Sequence, residues 1–447
     1  MKIRNIWISL CACSVLLFTG CDNYLDIPPT GSVIPTTAAE YRALLASAYK
    51  DVPTTRGLAA FRSDELTLST ESSYDMSSYG DIELWNDAKP AQGTMPFHWG
   101  ELYSVIFIAN HIIENKDAIT EGSADEVNQL AAEAYMLRGY MHFLLVNLYG
   151  QPYSKSGVLD SKSIPLKLNT DIEEISTRNT VREVYQSIAA DIAAATELMN
   201  VEAWELKYSY RFNKTSVQAF GSRLALYMEQ WDDVLIASDK ALQTAGALED
   251  LTIPQANFPN HYESTETITA LEYVFNSNYQ TAVFASSTLL AAYDEAHDLR
   301  LSLYYDAPNE DGNIVPLKGG NTAFRSTFRV AELYLNAAEA AARLGDNAKA
   351  KDYLLQLMAK RFTPAGFTAK KQAVDAMQGE ALITEILNER FRELAFEGHR
   401  WFDLRRTTRP QIIKTLERGT FTLAKDDARY TIPIPKDAIS SNPGLLN

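Results

Sequence analysis

The sequence predicts a mostly α fold in which interrupted, tetratricopeptide-like helical hairpins form a scaffold and long loop insertions break it. Three observations carry this expectation. Apolar residues recur at spacings of three and four through several long segments. Small residues and a Gly-Asp turn stand where consecutive helices would meet. Stretches near 68–98 and 246–324 lose the helical period and mix Ser, Thr, Asn, Gly and Pro with aromatic residues.

The chain begins with Lys2 and Arg4, followed by the apolar run Ile6 to Phe18. That is the order of a secretory signal peptide, and the run is short of the roughly 20 residues a transmembrane helix needs. Thr19 and Gly20 precede Cys21, an arrangement that resembles the bacterial lipobox, although Phe18 stands where Leu is usual. There the thiol takes a diacylglycerol, an N-acyl lipid is added and the chain is cut just before it. Residues 1–20 are therefore expected to be removed and Cys21 to carry the lipid anchor. One acyl chain holds a protein only marginally, and two or three hold it stably. All three cysteines fall before position 22, so the mature chain has no disulfide and no Cys-bearing zinc site. Residues 21–37, with Pro28, Pro29, Gly31 and Pro35, read as an extended lipidated leader, and 38–447 as one helical domain.

Charge narrows the partners. Removing residues 1–20 leaves 39 bases against 57 acids, a formal charge of −18, compared with −16 for the whole chain. Such a surface repels nucleic acid and anionic headgroups. Hydrophobic content of 46% is too high for a disordered chain.

The helices follow in order. Residues 38–50 are expected to pair with 99–117, where Trp99, Tyr103, Ile106 and Asn110 share scaffold positions. Between 125 and 149, Leu130, Ala134, Leu137, Met141, Leu144 and Leu148 fall on one face. Ser123 and Glu126 make a capping box there, Gly150 and Pro152 end the helix, and 180–199 is its partner. Residues 222–242 form another pair with Trp231 at the elbow. In the last pair Val330, Leu333, Tyr334, Ala337, Ala341 and Leu344 form a stripe, Gly345 stops it, and Asp346 caps a helix that runs through Leu357. The irregular intervals exclude a plain solenoid of fixed period.

The insertions hold the candidate ligand residues, because loops of this length in a compact protein are functional or disordered. Sugars lay C–H faces on aromatic rings while amides and carboxylates bond their hydroxyls. Trp85, Tyr79, Tyr74 and Asn86 in the first insertion, with Tyr279 and Asn278 in the second, have that composition. The bland reading is that Trp85 pins its own loop. Elsewhere the bland readings are favoured. Glu389, Arg390, Arg392 and Glu393 lie at ion-pair spacing, and His399 has no nucleophile motif beside it. Asn309 to Asn313 offers hard oxygens for calcium, but the twelve-residue loop is incomplete and a solvated turn is the better reading.

The ending ILNERFRELAFEGHRWFDLRR at 386–406, followed by YTIPIPKDAISSNPGLLN at 430–447, resembles the closing signature of the SusD/RagB family of Bacteroidota lipoproteins. CDNYLDIPP at 21–29, WGELYSVIFIANHIIEN at 99–115, AEAYMLRGYMHFLLVNLYGQPY at 132–153 and RFNKTSVQAFGSRLALYM at 211–228 match it in the same order. Leu446 departs from it, since the family usually has Gln there, and the chain is short for the family. The resemblance implies four tetratricopeptide units, a surface-exposed lipoprotein of the outer membrane, and capture of a glycan or oligosaccharide without catalysis or cofactor. It also implies a partner, a SusC-like TonB-dependent transporter that the protein covers as a lid. Peptide capture by the same architecture is the alternative. A glycoside hydrolase is a third reading, because two carboxylates about 5 to 10 Å apart can arise by chance among 57 acids.

Overall fold

A computed structural model describes residues 35–416 and 419–446. The signal segment, Cys21 and most of the 21–37 tether lie outside the described residues. The scaffold is four helical hairpins: α1 (Ala38–Lys50) with α2 (Trp99–Asn115), α3 (Ala124–Tyr149) with α4 (Val181–Leu198), α5 (Lys214–Tyr227) with α6 (Trp231–Thr244), and α7 (Val330–Arg343) with α8 (Asn347–Met358). Successive hairpins stack through α2 on α3, α4 on α5 and α6 on α7. A further helix, α9 (Glu380–Glu393), packs on α7. Among the described residues no helix is long and apolar enough to cross a membrane.

Local chemistry accounts for the helix ends. Ser123 Oγ accepts from the Glu126 N–H at 3.2 Å while the Glu126 carboxylate accepts from the Ser123 N–H at 2.8 Å, which completes the capping box. Thr37 with Glu40 and Thr180 with Glu183 repeat the device on α1 and α4. Gly345 sits at φ +86° in the turn between α7 and α8, and the Asp346 side chain accepts from the Lys349 N–H at 3.0 Å. Gly150 ends α3 for a different reason. Its φ of −95° is open to any residue, but an added Cβ would stand 2.8 Å from the Val146 carbonyl oxygen.

The central helix α3 is buried nearly all round from Gln129 to Tyr149, including the predicted face and the polar residues opposite it. Those polar groups are matched. Glu133 accepts from Arg42 at 3.0 Å and from the Tyr49 hydroxyl at 2.8 Å, and Arg138 holds Asp191 at 2.5 Å. Small residues let the hairpins close, as where Ser222 on α5 meets Ser238 on α6 with hydroxyls 2.8 Å apart. The predicted stripe of the last pair needs one correction. Val330, Leu333, Ala337 and Ala341 are buried, but Leu344 lies past the end of α7 and is exposed.

The insertions are more structured than their composition predicts. Residues 68–98 contain the helix Ser73–Glu83, capped by Ser72, and 246–324 contain three short helices. The strands β1 (Leu66–Leu68) and β3 (Val283–Ala285) pair antiparallel, with Leu66 opposite Ala285, which ties the two insertions together. A second ladder joins β2 (Thr267–Thr269) to β4 (Phe328–Arg329) just before α7. A buried charge network then fixes the second insertion to the C-terminal part. Glu393 receives Arg300, Arg329 and Arg361 at 2.9, 2.8 and 2.9 Å, and Glu397 receives Arg329 at 2.7 Å and Lys318 at 2.5 Å. Glu389 and Arg392 pair at 2.7 Å as their spacing predicts, but Glu389 also takes Arg300, and Arg390 reaches Asp403 rather than a neighbour on its own helix. Asn309 caps its own exposed turn, its Oδ1 accepting from the Asp311 and Asn313 N–H groups.

Candidate functional site

The two insertions converge, but the rings expected to face ligand are spent on the core. Trp85 is 1% exposed and Tyr79 1%, and Tyr279 is 3%. Tyr79 stacks on Phe61 with centroids 4.6 Å apart, and Tyr279 meets both edge-on at 5.6 and 5.7 Å. The Tyr279 hydroxyl lies 3.0 Å from Thr54 Oγ1. Trp85 sits at φ +56° and donates its indole N–H to the Arg62 carbonyl at 2.9 Å. These three residues are therefore corrected to structural anchors: a helix in the first insertion turns Tyr79 inward, and the loop end folds Trp85 beneath it. Tyr74 is 66% exposed, and Asn86 and Asn278 are exposed as well. Asn86 is occupied locally, donating to Asp81 at 2.9 Å and to the Lys89 carbonyl at 3.2 Å. Cys21 lies outside the described residues.

An open groove with the right chemistry lies on the other side of Thr54. Two adjoining concavities of about 430 and 480 Å³ share Tyr210 and Arg325. The first is walled by the end of α1 (Tyr49, Lys50), Val52, Thr54, Leu271 and Tyr273, and the second by Leu206, Lys207, Ser209, Tyr262 and Asn321. Backbone bonds hold the walls together. The Ala270 N–H donates to the Ser209 carbonyl at 2.9 Å, and the Tyr262 N–H to the Ala323 carbonyl at 2.9 Å.

Tyr210 is held as a platform between the two concavities. Its ring meets Tyr49 edge-on at 5.4 Å, and the Arg211 guanidinium lies 5.4 Å from its centroid. Arg211 also stacks 4.1 Å over Tyr208 and 5.1 Å over Trp204. Arg325 is steadied by one bond, Nε donating to the Thr322 carbonyl at 3.1 Å. Burial pushes the Tyr273 hydroxyl above its ordinary pKa, and the Glu263 carboxylate that accepts from Tyr262 at 2.9 Å does the same there, so both phenols stay protonated donors. Aromatic platforms with partly or fully exposed hydroxyl, amide and guanidinium groups are suited to a polyhydroxylated ligand.

A second cleft, of about 420 Å³, lies beside Phe107, Ile172 and the 441–443 segment. Its polar groups are already engaged. Asn110 donates to the Lys167 and Asn169 carbonyls, Lys167 to Glu174 at 2.7 Å, and Asn442 to the Ser176 carbonyl at 2.9 Å. The groove at Tyr210 is the better site because Arg325 lines both of its halves and spends only Nε on the protein.

Sequence reasoning missed this groove. The signal was present in Trp204-Glu-Leu-Lys207-Tyr208-Ser-Tyr210-Arg211, an aromatic and basic run between two predicted helices. The same criterion that singled out Trp85 fits it.

Comparison with known proteins places the molecule. A family model described as starch-binding associating with outer membrane matches residues 23–226, and the SusD family model matches residues 310–447. SusD-like protein P38 of Formosa agariphila is 24% identical over 91% of this chain and 92% of its own length. A SusD superfamily crystal structure from Bacteroides thetaiotaomicron superposes with a TM-score of 0.78 at 20% identity, covering 92% of this chain and 99% of that one. A laminarin-binding SusD-like protein superposes with a TM-score of 0.60 at 17% identity, over 83% and 92% of the two chains. At these identities the likeness to the solved structures is one of fold.

Proposed function

The chain belongs to the SusD/RagB family, and from that premise we propose that it captures oligosaccharide without catalysis in the groove around Tyr210 and Arg325. In the same reading it passes the ligand to a SusC-like TonB-dependent transporter that it covers as a lid, tethered to the outer membrane by diacylglycerol and N-acyl lipid on Cys21. The observation that carries the capture is the open groove itself, with Tyr210, Tyr262 and Tyr273 lining its walls beside Asn321 and Arg325. A laminarin-binding protein of the same fold supports a sugar as the ligand. No Asp or Glu is among the residues lining the groove of this chain, which favours binding over a hydrolysis that needs a pair of carboxylates.

Calorimetry with an oligosaccharide panel tests the capture. Tyr210→Ala is expected to weaken binding by roughly 1 to 3 kcal/mol, the loss typical of an aromatic anchor. The sugar chains should be recovered intact. Shortened chains would favour a hydrolase, and binding of peptides in place of sugars would favour the peptide alternative. Cell fractionation of Cys21→Ala tests the anchor, because mutant protein still pelleting with the outer membrane after an alkali wash would rule the lipid reading out.

A further inference from the structure

We infer that the oligosaccharide taken by this groove carries an oxyanion, a carboxylate or a sulfate ester, and that Arg325 receives it with Lys50 alongside; this rests on the capture reading above. The first ground is the state of the arginines. Among the described residues the side chains of only Arg178, Arg211, Arg325 and Arg405 make no ion pair. Arg405 is saturated by buried backbone carbonyls, including that of Gly150 at 2.6 Å. Of the remaining three, Arg325 lines the groove, while Arg211 stacks behind it on Tyr208 and Tyr210 and donates Nε to the Tyr210 hydroxyl at 3.3 Å. In a chain of net charge −16 with 57 acids, an arginine without a carboxylate partner is the exception, and Arg325 is one.

The second ground is geometry. Arg325 spends only Nε on the protein, at the Thr322 carbonyl, and its terminal nitrogens are left for something else. It is half-buried and lines both concavities, so a ligand lying in either one passes it. A guanidinium fork matches a planar carboxylate or two sulfate oxygens, and charge-assisted bonds of this kind are about twice as strong as neutral ones. A neutral hydroxyl uses only part of that capacity.

The third ground is the local charge balance. Lys50, Lys207 and Arg325 line the groove, and no Asp or Glu is among its lining residues. The acids nearby stand outside the lining, Glu205 beside Lys207 at 3.0 Å and Glu263 accepting from the Tyr262 hydroxyl. The groove is thus locally positive on an acidic molecule, and the sign favours an anionic ligand there.

The test uses the soluble mature protein and three probes of matched length in calorimetry: oligogalacturonate, which carries carboxylates only, carrageenan oligosaccharides, which carry sulfates only, and neutral laminari-oligosaccharides. At least one anionic probe is expected to bind ten-fold or more tightly than the neutral one and to weaken as salt rises. Whichever arm wins assigns the oxyanion. Arg325→Gln is expected to remove most of that preference, and Arg325→Lys to restore part of it. Neutral probe binding as tight as or tighter than both anionic probes overturns the inference and leaves the capture reading standing. A preference for the anionic probe that survives Arg325→Gln also overturns it, by placing the recognition elsewhere. Failure of all three probes to bind the wild-type protein overturns this inference and the capture reading together.

Discussion

The Trp85 indole N–H points at the Arg62 carbonyl oxygen, 2.9 Å away, and that contact changes what the first insertion is for. Arg62 in turn grips Asp87 with two bonds of 2.7 and 2.9 Å and lies 5.0 Å over the Trp401 ring. The end of the insertion is therefore folded under itself and clamped to the C-terminal part of the chain. Trp85 adopts φ +56°, a backbone conformation that costs a bulky residue and persists only where its surroundings hold it.

Trp85→Ala is accordingly expected to destabilise the protein by about 3 to 5 kcal/mol, the usual cost of emptying a buried aromatic site. Ligand affinity, measured at a temperature where the variant is folded, should be unchanged. Denaturant unfolding and calorimetry separate the two effects, and a loss of affinity without a loss of stability would return Trp85 to the ligand face.

What was legible in the sequence follows the range of the interactions. The hairpins were readable because capping boxes, three-and-four spacing and the Gly345-Asp346 turn act within a few residues. The helix Ser73–Glu83 was missed because Ser, Tyr and Gly blur its apolar face, although Ser72 stood ready to cap it. The groove was missed for a longer-range reason: Lys50, Tyr210, Tyr262 and Arg325 come from four separate segments. Glu389 and Glu393 could be recognised as ion-pair formers, but nothing local names Arg300, Arg329 and Arg361 as their partners.

Leu137 lies on the predicted face of α3 and is fully buried. Leu137→Ala should cost about 2 to 5 kcal/mol, from lost transfer energy plus the cavity left behind. A melting curve that barely shifts would mean the central helix can collapse around the gap.

Glu393 is expected to matter more than its size indicates. Burial alone would raise its pKa, but the Arg361 and Arg329 guanidinium groups outweigh burial and hold it well below the ordinary carboxylate range. Glu393→Ala leaves buried guanidinium groups short of a counter-charge, and breaking such a pair typically costs about 3 to 5 kcal/mol. The stabilisation is present above the unfolded carboxylate pKa and is lost as pH falls below that range. The gap in unfolding free energy between wild type and variant should therefore narrow in strong acid, and a gap that stays constant to low pH would detach it from ionisation.

Glu65 works in the opposite sense. It is fully buried, and burial pushes its pKa from 4.5 up to about 7. Its Oε2 accepts from the Phe396 N–H at 3.0 Å, in a turn where Phe396 itself has φ +60°, while Oε1 has no partner. An acid whose folded pKa is raised contributes stability below the unfolded value of 4.5, and that contribution is lost as pH rises through about 7. The shift corresponds to at most roughly 3 kcal/mol. Glu65→Gln keeps an acceptor for Phe396 and removes the titration, so the variant should gain on wild type as pH goes from about 5 to 8. Comparing the two chains matters because His142, lowered by burial to about 3, and His399, held well below its usual value for the same reason, tilt stability the other way. Both histidines are present in both chains, so their effect cancels in the difference. Unfolding free energies measured across that window should diverge steadily, and a difference independent of pH would mean that Glu65 is already ionised in the folded protein near pH 5.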